Sequence, residues 1–202
     1  MSTSQLQSAF DFVNGPVGYR FRSGASRKHA LARAAGFAKG NIPTVVDATA
    51  GLGRDAFLLA CSGARVTLLE RSPEVHELLR DALTRAAAEN PELAAVVARM
   101  TLIQGDARDL LPGLQADTVI VDPMHPPRTN TAIVKQEMRQ LRELVGTDPD
   151  ALELMRAALA ANCSRVVLKW PLRAKPLEGL RKPSHSITGK TVRYDVFMMA
   201  AR

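Results

Sequence analysis

The sequence predicts an α/β fold in which helices cover both faces of a mostly parallel sheet. Short apolar runs of four to six residues alternate with helical segments along most of the chain, as a parallel sheet buried on both faces requires. A small glycine-bearing loop, residues 48–53, follows the first run and precedes a helix, an arrangement that suits nucleotide-type ligands. Acidic residues stand at the ends of four predicted strands: Asp47, Glu70, Asp106 and Asp122.

The strand predictions follow from apolar runs bounded by turn residues. Gly40 and Pro43 mark a turn before the first strand, and Gly63 separates the first helix of the alternation from the second strand. A Pro-rich loop separates the last two predicted strands. The predicted strands are 44–47, 65–70, 100–104, 117–122, 165–170 and 191–200.

The helix predictions rest on start and stop signals between these strands. Ser72-Pro73-Glu74 places proline at a first helical position, and Pro91 and Pro112 mark later boundaries. The predicted helices are 28–38, 54–62, 73–90, 92–99, 107–111, 131–145 and 150–161.

The length of 202 residues predicts one main domain. We divide the chain into a basic N-terminal segment and helix, residues 1–40, and a catalytic domain, residues 41–202. No apolar run approaches the roughly 20 residues that span a bilayer, and no signal peptide is recognisable, so we expect a cytoplasmic protein. Cys61 and Cys163 lack the spacing of a metal site, and no metal is predicted.

The charge of the chain favours a polyanionic partner. The formal net charge is +7 and the sequence pI is about 9.9, which suits phosphate neutralisation and counterion release. Within residues 15–29, basic side chains surround two aromatics, a composition that fits stacking and phosphate contact in an RNA site. The alternative is a solvated surface loop. The candidate RNA-binding residues in this segment are Arg20, Arg22, Arg27 and Lys28.

The glycine loop is compatible with two cofactors. Gly51-Leu-Gly53-Arg-Asp-Ala56 matches a Gly-x-Gly-x-x-Ala dinucleotide pattern, and Glu70 lies 19 residues beyond Gly51, a spacing that suits ribose hydroxyls. S-adenosylmethionine (SAM) methyltransferases use the same arrangement. Asp47 and Asp55 favour SAM, because its sulfonium and ammonium groups are cationic whereas a pyrophosphate gains nothing from carboxylates beside it.

The run Asp122-Pro123-Met-His125 points to methyl transfer onto an exocyclic base amine. The lone pair of such an amine is delocalised into the ring, which makes it a poor nucleophile. A carboxylate and a proline-fixed main-chain carbonyl can accept its two N–H groups and orient the lone pair. Pro123 helps to hold that carbonyl because proline fixes its own φ. The alternative is a strand-terminating turn.

The chain resembles the ribosomal RNA small subunit methyltransferase J family, which methylates N2 of a guanosine in bacterial 16S ribosomal RNA. The resemblance covers roughly residues 11–200. The combination of the glycine-loop run with Asp-Pro-Met-x-Pro is specific, whereas Gly-x-Gly alone is weak. The matching runs are Asp47-Ala-Thr-Ala-Gly-Leu-Gly-Arg-Asp-Ala-Phe57, Leu69-Glu-Arg71, Asp122-Pro-Met-His-Pro126, Val134-Lys-Gln-Glu-Met-Arg139, Leu144-Val-Gly146, Val167-Leu-Lys-Trp-Pro171 and Arg193-Tyr-Asp195.

The resemblance implies a Rossmann-like SAM-dependent methyltransferase fold, with a mostly parallel seven-stranded sheet and an antiparallel last strand. It also implies that SAM is the cofactor and that 16S rRNA or the small ribosomal subunit is the partner. It places Arg54, Asp55, Glu70, Arg71, Asp106, Ala107 and Asp122 in contact with SAM, beside Asp47, Gly51 and Gly53. Glu70 would bind the ribose and Asp106 the adenine amine.

Two of the departures from the family pattern fall on predicted site residues. Asp106-Ala107 stands where the family has Ser-Ser, and His125 stands where it usually has an aromatic residue. An imidazole can still stack on guanine, with less face area. The predicted catalytic residues are Asp122 and Pro123, which would orient the amine, and His125, which would stack on the base.

Further basic residues are candidates for RNA contact. Lys135 and Arg139 share a face of the predicted 131–145 helix. Arg128 is the cation nearest in sequence to the run that begins at Asp122. Lys169 ends a predicted strand, where it could contact phosphate or satisfy the acidic residues of the site.

Two alternative functions remain open from the residues alone. One is an NAD(P)-dependent oxidoreductase that uses the Gly-x-Gly-x-x-Ala loop. The other is a non-catalytic RNA-binding module with a degenerate cofactor pocket.

Overall fold

The computed structural model describes residues 10–15, 18, 29–38, 40–123 and 150–200. The helices in these ranges are α1 Ala30–Ala35, α2 Arg54–Cys61, α3 Pro73–Glu89, α4 Pro91–Val97, α5 Ala107–Leu110 with a 3-10 turn Leu111–Gly113, and α6 Ala151–Ala160. The strands are β1 Val45–Asp47, β2 Val66–Glu70, β3 Met100–Gln104, β4 Thr118–Val121, β5 Arg165–Pro171, β6 His185–Thr188 and β7 Val192–Met198. None of these helices is long and apolar enough to cross a membrane.

The seven strands form one sheet in the order β3-β2-β1-β4-β5-β7-β6. The neighbours from β3 to β5 pair in parallel. Strand β7 inserts antiparallel between β5 and β6. The predicted mostly parallel seven-stranded sheet with an antiparallel last strand is therefore confirmed.

The six strands predicted from the residues are present, with ends shifted by at most two residues. The residues did not reveal β6, whose sequence His-Ser-Ile-Thr is exposed at three of its four positions. An edge strand of this kind forms because β7 offers it a hydrogen-bonding partner, not because it buries an apolar face. The helix predicted over 131–145 lies outside the described residues.

The helix starts follow the predicted capping chemistry. Ser72 Oγ accepts a hydrogen bond from Val75 N at 3.3 Å, and Pro73 occupies the first turn of α3. Asn90 Oδ1 accepts from Leu93 N at 2.9 Å, and Pro91 opens α4. Both caps satisfy N–H groups that have no partner inside the helix.

The core lies on both faces of the sheet. One cluster packs α1, α2, α3 and α4 against the strands, and the other includes α6, Trp170 and Phe197. The N-terminal segment joins the first cluster: Phe12 is 2% exposed and stacks on Phe57 of α2 with ring centroids 4.8 Å apart. This contact fixes the segment against the helix that follows the glycine loop. The division at residue 40 stays a prediction.

Candidate active site

The predicted acidic residues meet at one edge of the sheet. Strands β1, β2, β3 and β4 are parallel, so their carboxyl ends lie on the same side. Asp47 and Glu70 are the last residues of β1 and β2, and both are buried. Asp122 directly follows β4. In open α/β sheets ligands bind at this edge, so we take it as the candidate active site.

Glu70 fixes the glycine loop. Its Oε2 accepts a hydrogen bond from Gly51 N at 2.9 Å, and its Oε1 accepts from Ser72 N at 2.9 Å. The side chain is 6% exposed. Glu70 therefore connects the loop after β1 to the start of α3. Its predicted contact with a ribose stays a prediction, and the clamp on Gly51 is a role that the spacing did not reveal.

Gly53 meets a packing requirement as well as a conformational one. Its φ is 67°, in the left-handed region that favours glycine. A Cβ at this position would lie 2.7 Å from Leu79 Cδ1 of α3 and 3.2 Å from Phe12 Cζ. The absence of a side chain at Gly53 therefore lets Leu79 and Phe12 pack closely against the loop. The predicted contact of Gly53 with the cofactor stays a prediction.

Lys169 joins two of the predicted acids. Its Nζ lies 2.7 Å from Asp55 Oδ2 and 2.7 Å from Asp122 Oδ2. The register explains the meeting, because Leu168 of β5 pairs with Val121 of β4 and the next residues on both strands stand side by side. Of the two predicted roles of Lys169, the structure shows the one in which it satisfies the site's acids. Phosphate contact stays a prediction.

This ion cluster places a positive charge beside the Asp122 carboxylate. Burial disfavours the Lys169 ammonium, but the carboxylates of Asp122 and Asp55 outweigh burial and hold the pKa of Lys169 well above its ordinary value. The ammonium is thus a permanent positive charge beside Asp122. An ionised carboxylate only accepts hydrogen bonds, which is the property that an amine substrate requires.

Asp47 is an acid of this edge whose pKa is strongly raised. Its side chain is buried, and its Oδ1 accepts from Thr49 N at 3.1 Å. Burial, with a further contribution from the charge of Asp55, raises the pKa of Asp47 to about 7. A cation bound beside Asp47 would favour its charged form.

Thr49 is a site residue that the sequence did not single out. Its Oγ1 accepts a hydrogen bond from Asp122 N at 2.8 Å. The bond holds the glycine loop after β1 against Asp122, the residue that follows β4. Pro123, the next residue, is buried. A hydroxyl inside an otherwise apolar Ala-Thr-Ala-Gly run was the available signal.

A second ion network surrounds Asp106. Asp106 Oδ1 accepts from Arg108 N at 2.9 Å at the start of α5, and Arg108 Nη2 lies 2.6 Å from Asp106 Oδ2. The hydrogen bond from the Arg108 side chain lowers the pKa of Asp106. Arg71 and Arg108 both reach Asp150 Oδ2, at 2.9 and 3.0 Å. Arg108 and Asp150 were not predicted, and the adenine contact of Asp106 stays a prediction.

The remaining predicted residues divide by whether the structure describes them. Arg54 is the first residue of α2 and Ala107 the first of α5, both at the candidate edge. The others lie outside the described residues and stay predictions: His125, Arg20, Arg22, Arg27, Lys28, Arg128, Lys135 and Arg139.

The chemistry of the donor set fits a cationic cofactor. An ammonium group of the chain already lies between Asp55 and Asp122, so these carboxylates accept a cationic nitrogen. Asp47 stands behind them, where each added negative charge would be unfavourable. A pyrophosphate would meet this acidic group, whereas the cationic part of SAM would be stabilised by it.

Comparisons with known proteins support this interpretation. Residues 2–199 match the model of a family described as "Putative SAM-dependent methyltransferase". A protein of Rhodopseudomonas palustris strain HaA2 named ribosomal RNA small subunit methyltransferase J is 71% identical over 191 residues, which are 95% of this chain and 88% of that protein. A protein of Brucella anthropi with the same name is 62% identical over 200 residues, 99% of this chain and 97% of that protein.

A solved structure agrees with the sequence comparisons. The crystal structure of a SAM-dependent methyltransferase from Neisseria gonorrhoeae is 33% identical, covers 96% of this chain and 74% of its own, and superposes with a TM-score of 0.69. These relationships decide between the two cofactors in favour of SAM. The chain belongs to the ribosomal RNA small subunit methyltransferase J family of SAM-dependent methyltransferases.

Proposed function

We propose that this protein transfers a methyl group from SAM to the exocyclic N2 amine of a guanosine in 16S ribosomal RNA. The relatives that share 62–71% of its residues are named as small-subunit ribosomal RNA methyltransferases. The observation that carries the choice of an amine substrate is Asp122, whose carboxylate pairs with the Lys169 ammonium at 2.7 Å just after β4. The guanine-N2 specificity rests on this residue and on the family resemblance.

Asp122 and Pro123 would hold the amine. The Asp122 side chain is 41% exposed at the edge of the sheet, so an incoming base can reach it. Its carboxylate would accept one N–H of the amine, and the main-chain carbonyl that Pro123 helps to fix would accept the other. These two bonds orient the nitrogen lone pair, and transfer then depends mainly on positioning and electrostatics.

The residues around the glycine loop would hold the cofactor. When bound, SAM supplies an electrophilic methyl group. Asp47 would favour its cationic part, Glu70 its ribose, and the loop that Glu70 fixes through Gly51 would give it bare backbone to lie against. Arg54, Asp55, Arg71, Asp106 and Ala107 complete the proposed cofactor site.

The RNA contacts belong to the same proposal. Arg20, Arg22, Arg27, Lys28, Arg128, Lys135, Arg139 and Lys169 are the residues proposed to contact RNA. A base that reacts at an exocyclic amine must leave its stack or lie in a single strand, and His125 would stack against it. The partner would be 16S rRNA or the small ribosomal subunit, and the protein would then act in the cytoplasm.

The test is transfer of a labelled methyl group. Small subunits and naked 16S rRNA are prepared from cells that lack this protein, incubated with the protein and methyl-labelled SAM, and the modified base is mapped. We expect label on N2 of a single guanosine, and no label on subunits from cells that contain the protein. Label on another atom would contradict the specificity, and salt-sensitive RNA binding without any transfer would favour a non-catalytic RNA-binding module.

A further inference from the structure

Most of the net charge of the protein lies in residues 165–200. Residues 165–200 contain eight lysines and arginines but only two acidic residues, Glu178 and Asp195, a net charge of +6 against +7 for the whole chain. This concentration is not part of the RNA-binding set above, apart from Lys169. Its location in the fold decides what it can do.

Several of these cations are already used inside the structure. Lys169 lies between Asp55 and Asp122. Arg193 pairs with Asp195, and Arg165 donates to the carbonyl of Ala34. Arg165 and Arg193 therefore hold the fold together, and Lys169 already shares its charge with two carboxylates of the site.

Four other cations of this region have no such partners among the described residues. One of them, Lys182, precedes β6 and therefore lies at the edge of the sheet opposite the active site. Arg173, Lys175 and Lys190 are exposed, and none of them forms an ion pair with another residue in the described part of the chain. We name these three residues the basic rim. Their charges are available to an external anion.

The basic rim lies on the same edge of the sheet as Asp122. Strand β5 is parallel to β4, so the segment after Pro171, which carries Arg173 and Lys175, leaves the sheet at the active-site edge. Strand β7 is antiparallel, so the turn before Val192, which carries Lys190, lies at that edge too. Leu172 N donates to Thr191 O at 3.1 Å and joins the two segments.

The backbone of the basic rim is held in place by hydrogen bonds. The Arg193 guanidinium donates through Nη1 to the carbonyls of Pro171, Leu172 and Ala174, at 3.1, 3.2 and 2.8 Å. Trp170 Nε1 donates to the carbonyl of Lys175 at 2.8 Å. The segment that carries Arg173 and Lys175 is therefore fixed before any ligand binds, which lowers the entropic cost of binding.

We propose that the basic rim binds the phosphate backbone of the substrate RNA on the β6 side of Asp122. This inference rests on the proposed function, because it takes RNA as the substrate. Strands β4 to β6 span three strand spacings, roughly 14 Å, enough for several successive phosphates of one strand. The rim would thus hold the RNA strand that flanks the target nucleotide, while Asp122 holds the base.

The experiment removes the three charges and measures RNA binding over a series of salt concentrations. The variant carries Arg173→Gln, Lys175→Gln and Lys190→Gln, and the probe is unmodified 16S rRNA. Each lost contact with a single strand should lower the slope of log affinity against log salt by about 0.7, so we expect a decrease of about 2 and a roughly 10- to 50-fold weaker affinity near physiological salt. The rate at saturating RNA should stay that of the wild type.

Two further variants serve as controls. Arg65→Gln, Arg85→Gln and Arg99→Gln remove the same charge from exposed residues, two of which precede β2 and β3 at the opposite edge, and should leave the salt slope nearly unchanged. Arg173→Lys, Lys175→Arg and Lys190→Arg keep the charge and should bind RNA as the wild type does. Calorimetric binding of S-adenosylhomocysteine and the melting temperature verify that each variant is folded.

The outcomes separate the rim from the proposed function. If the rim variant keeps the wild-type salt slope and affinity while the wild type binds and methylates RNA, the rim proposal is wrong and the function stands. If the control variant at Arg65, Arg85 and Arg99 loses as much affinity as the rim variant, net charge alone accounts for RNA binding and the rim proposal is also wrong. If the wild-type protein itself neither binds nor methylates RNA, the proposed function is what fails.

Discussion

At the scale of single residues, the site contains an acid that weakens the fold. Asp47 is 4% exposed, and its pKa is raised to about 7 by burial and then by the charge of Asp55. A carboxylate that prefers to be neutral in the folded protein costs free energy whenever the pH keeps it charged. This cost is understandable if the Asp47 carboxylate stabilises a bound cation, and the cationic part of SAM is the group that it would stabilise.

Replacement of this acid should stabilise the protein at high pH. The folded state keeps a proton on Asp47 that the unfolded chain loses near its ordinary pKa of 3.8. The stability that wild-type Asp47 contributes is therefore complete below pH 4 and is lost as the pH rises through about 7. Asp47→Asn cannot titrate, so we expect it to be about 2–4 kcal/mol more stable than wild type at pH 8.5 and within about 1 kcal/mol of it at pH 4.5.

Urea denaturation at the two pH values measures this difference. Asp109→Asn, which removes a charge from an exposed position in α5, should change stability by less than about 0.5 kcal/mol at both pH values. An Asp47→Asn protein that is no more stable than wild type at pH 8.5 would show that Asp47 is not under electrostatic strain. SAM affinity of the same variant should fall, because the favourable charge is lost.

The acids of the site could be predicted from the sequence, but most of their partners could not. Acids at strand ends converge because parallel strands share an edge, which makes Asp47, Glu70 and Asp122 predictable. Their partners depend on side chains that the fold brings together from far along the chain. Asp122 meets Lys169 across 47 residues and Thr49 across 73, and only the β4–β5 register and the loop geometry define those contacts.

At the scale of elements, the sequence predicted those helices whose starts are stabilised by residues next to them in the chain. Prolines and capping side chains mark α3 and α4 in the sequence as they do in the structure. Strand β6 left no such signal, because its pairing with β7 and not its own burial determines it. The glycine loop lies between these cases. Its spacing predicted a cofactor site, and the structure adds that Gly53 packs against α3.

Gly53→Ala should therefore destabilise the fold as well as the site. The new methyl group would lie 2.7 Å from Leu79 Cδ1, on a backbone with a φ of 67°. Overpacking and left-handed strain together should cost about 2–4 kcal/mol. Gly113→Ala is the matched control, since a Cβ there meets nothing within 4 Å. Thermal or urea unfolding measures both variants, and equal stabilities would contradict the packing role of Gly53.

At the scale of the whole molecule, one edge of the sheet separates two kinds of charge. The acids at the ends of β1, β2 and β4 form the proposed cofactor side, and the basic rim beyond β5 forms the proposed RNA side. Lys169 stands between them and is bound to the acids. The net charge of +7 predicted a polyanionic partner from the sequence. It could not locate the surface, because that depends on which cations the fold consumes in its own hydrogen bonds and ion pairs.

The central claim is that Asp122 positions the amine and contributes little to holding the cofactor. Its most direct test compares two quantities for Asp122→Ala: the affinity for SAM by calorimetry and the rate of methyl transfer to small subunits that lack the modification. We expect the affinity to stay within a few-fold of wild type and the rate to fall by about 1000-fold. Asp122→Asn, which keeps an acceptor oxygen, should retain more activity. An Asp122→Ala protein that methylates the RNA at the wild-type rate would contradict the account.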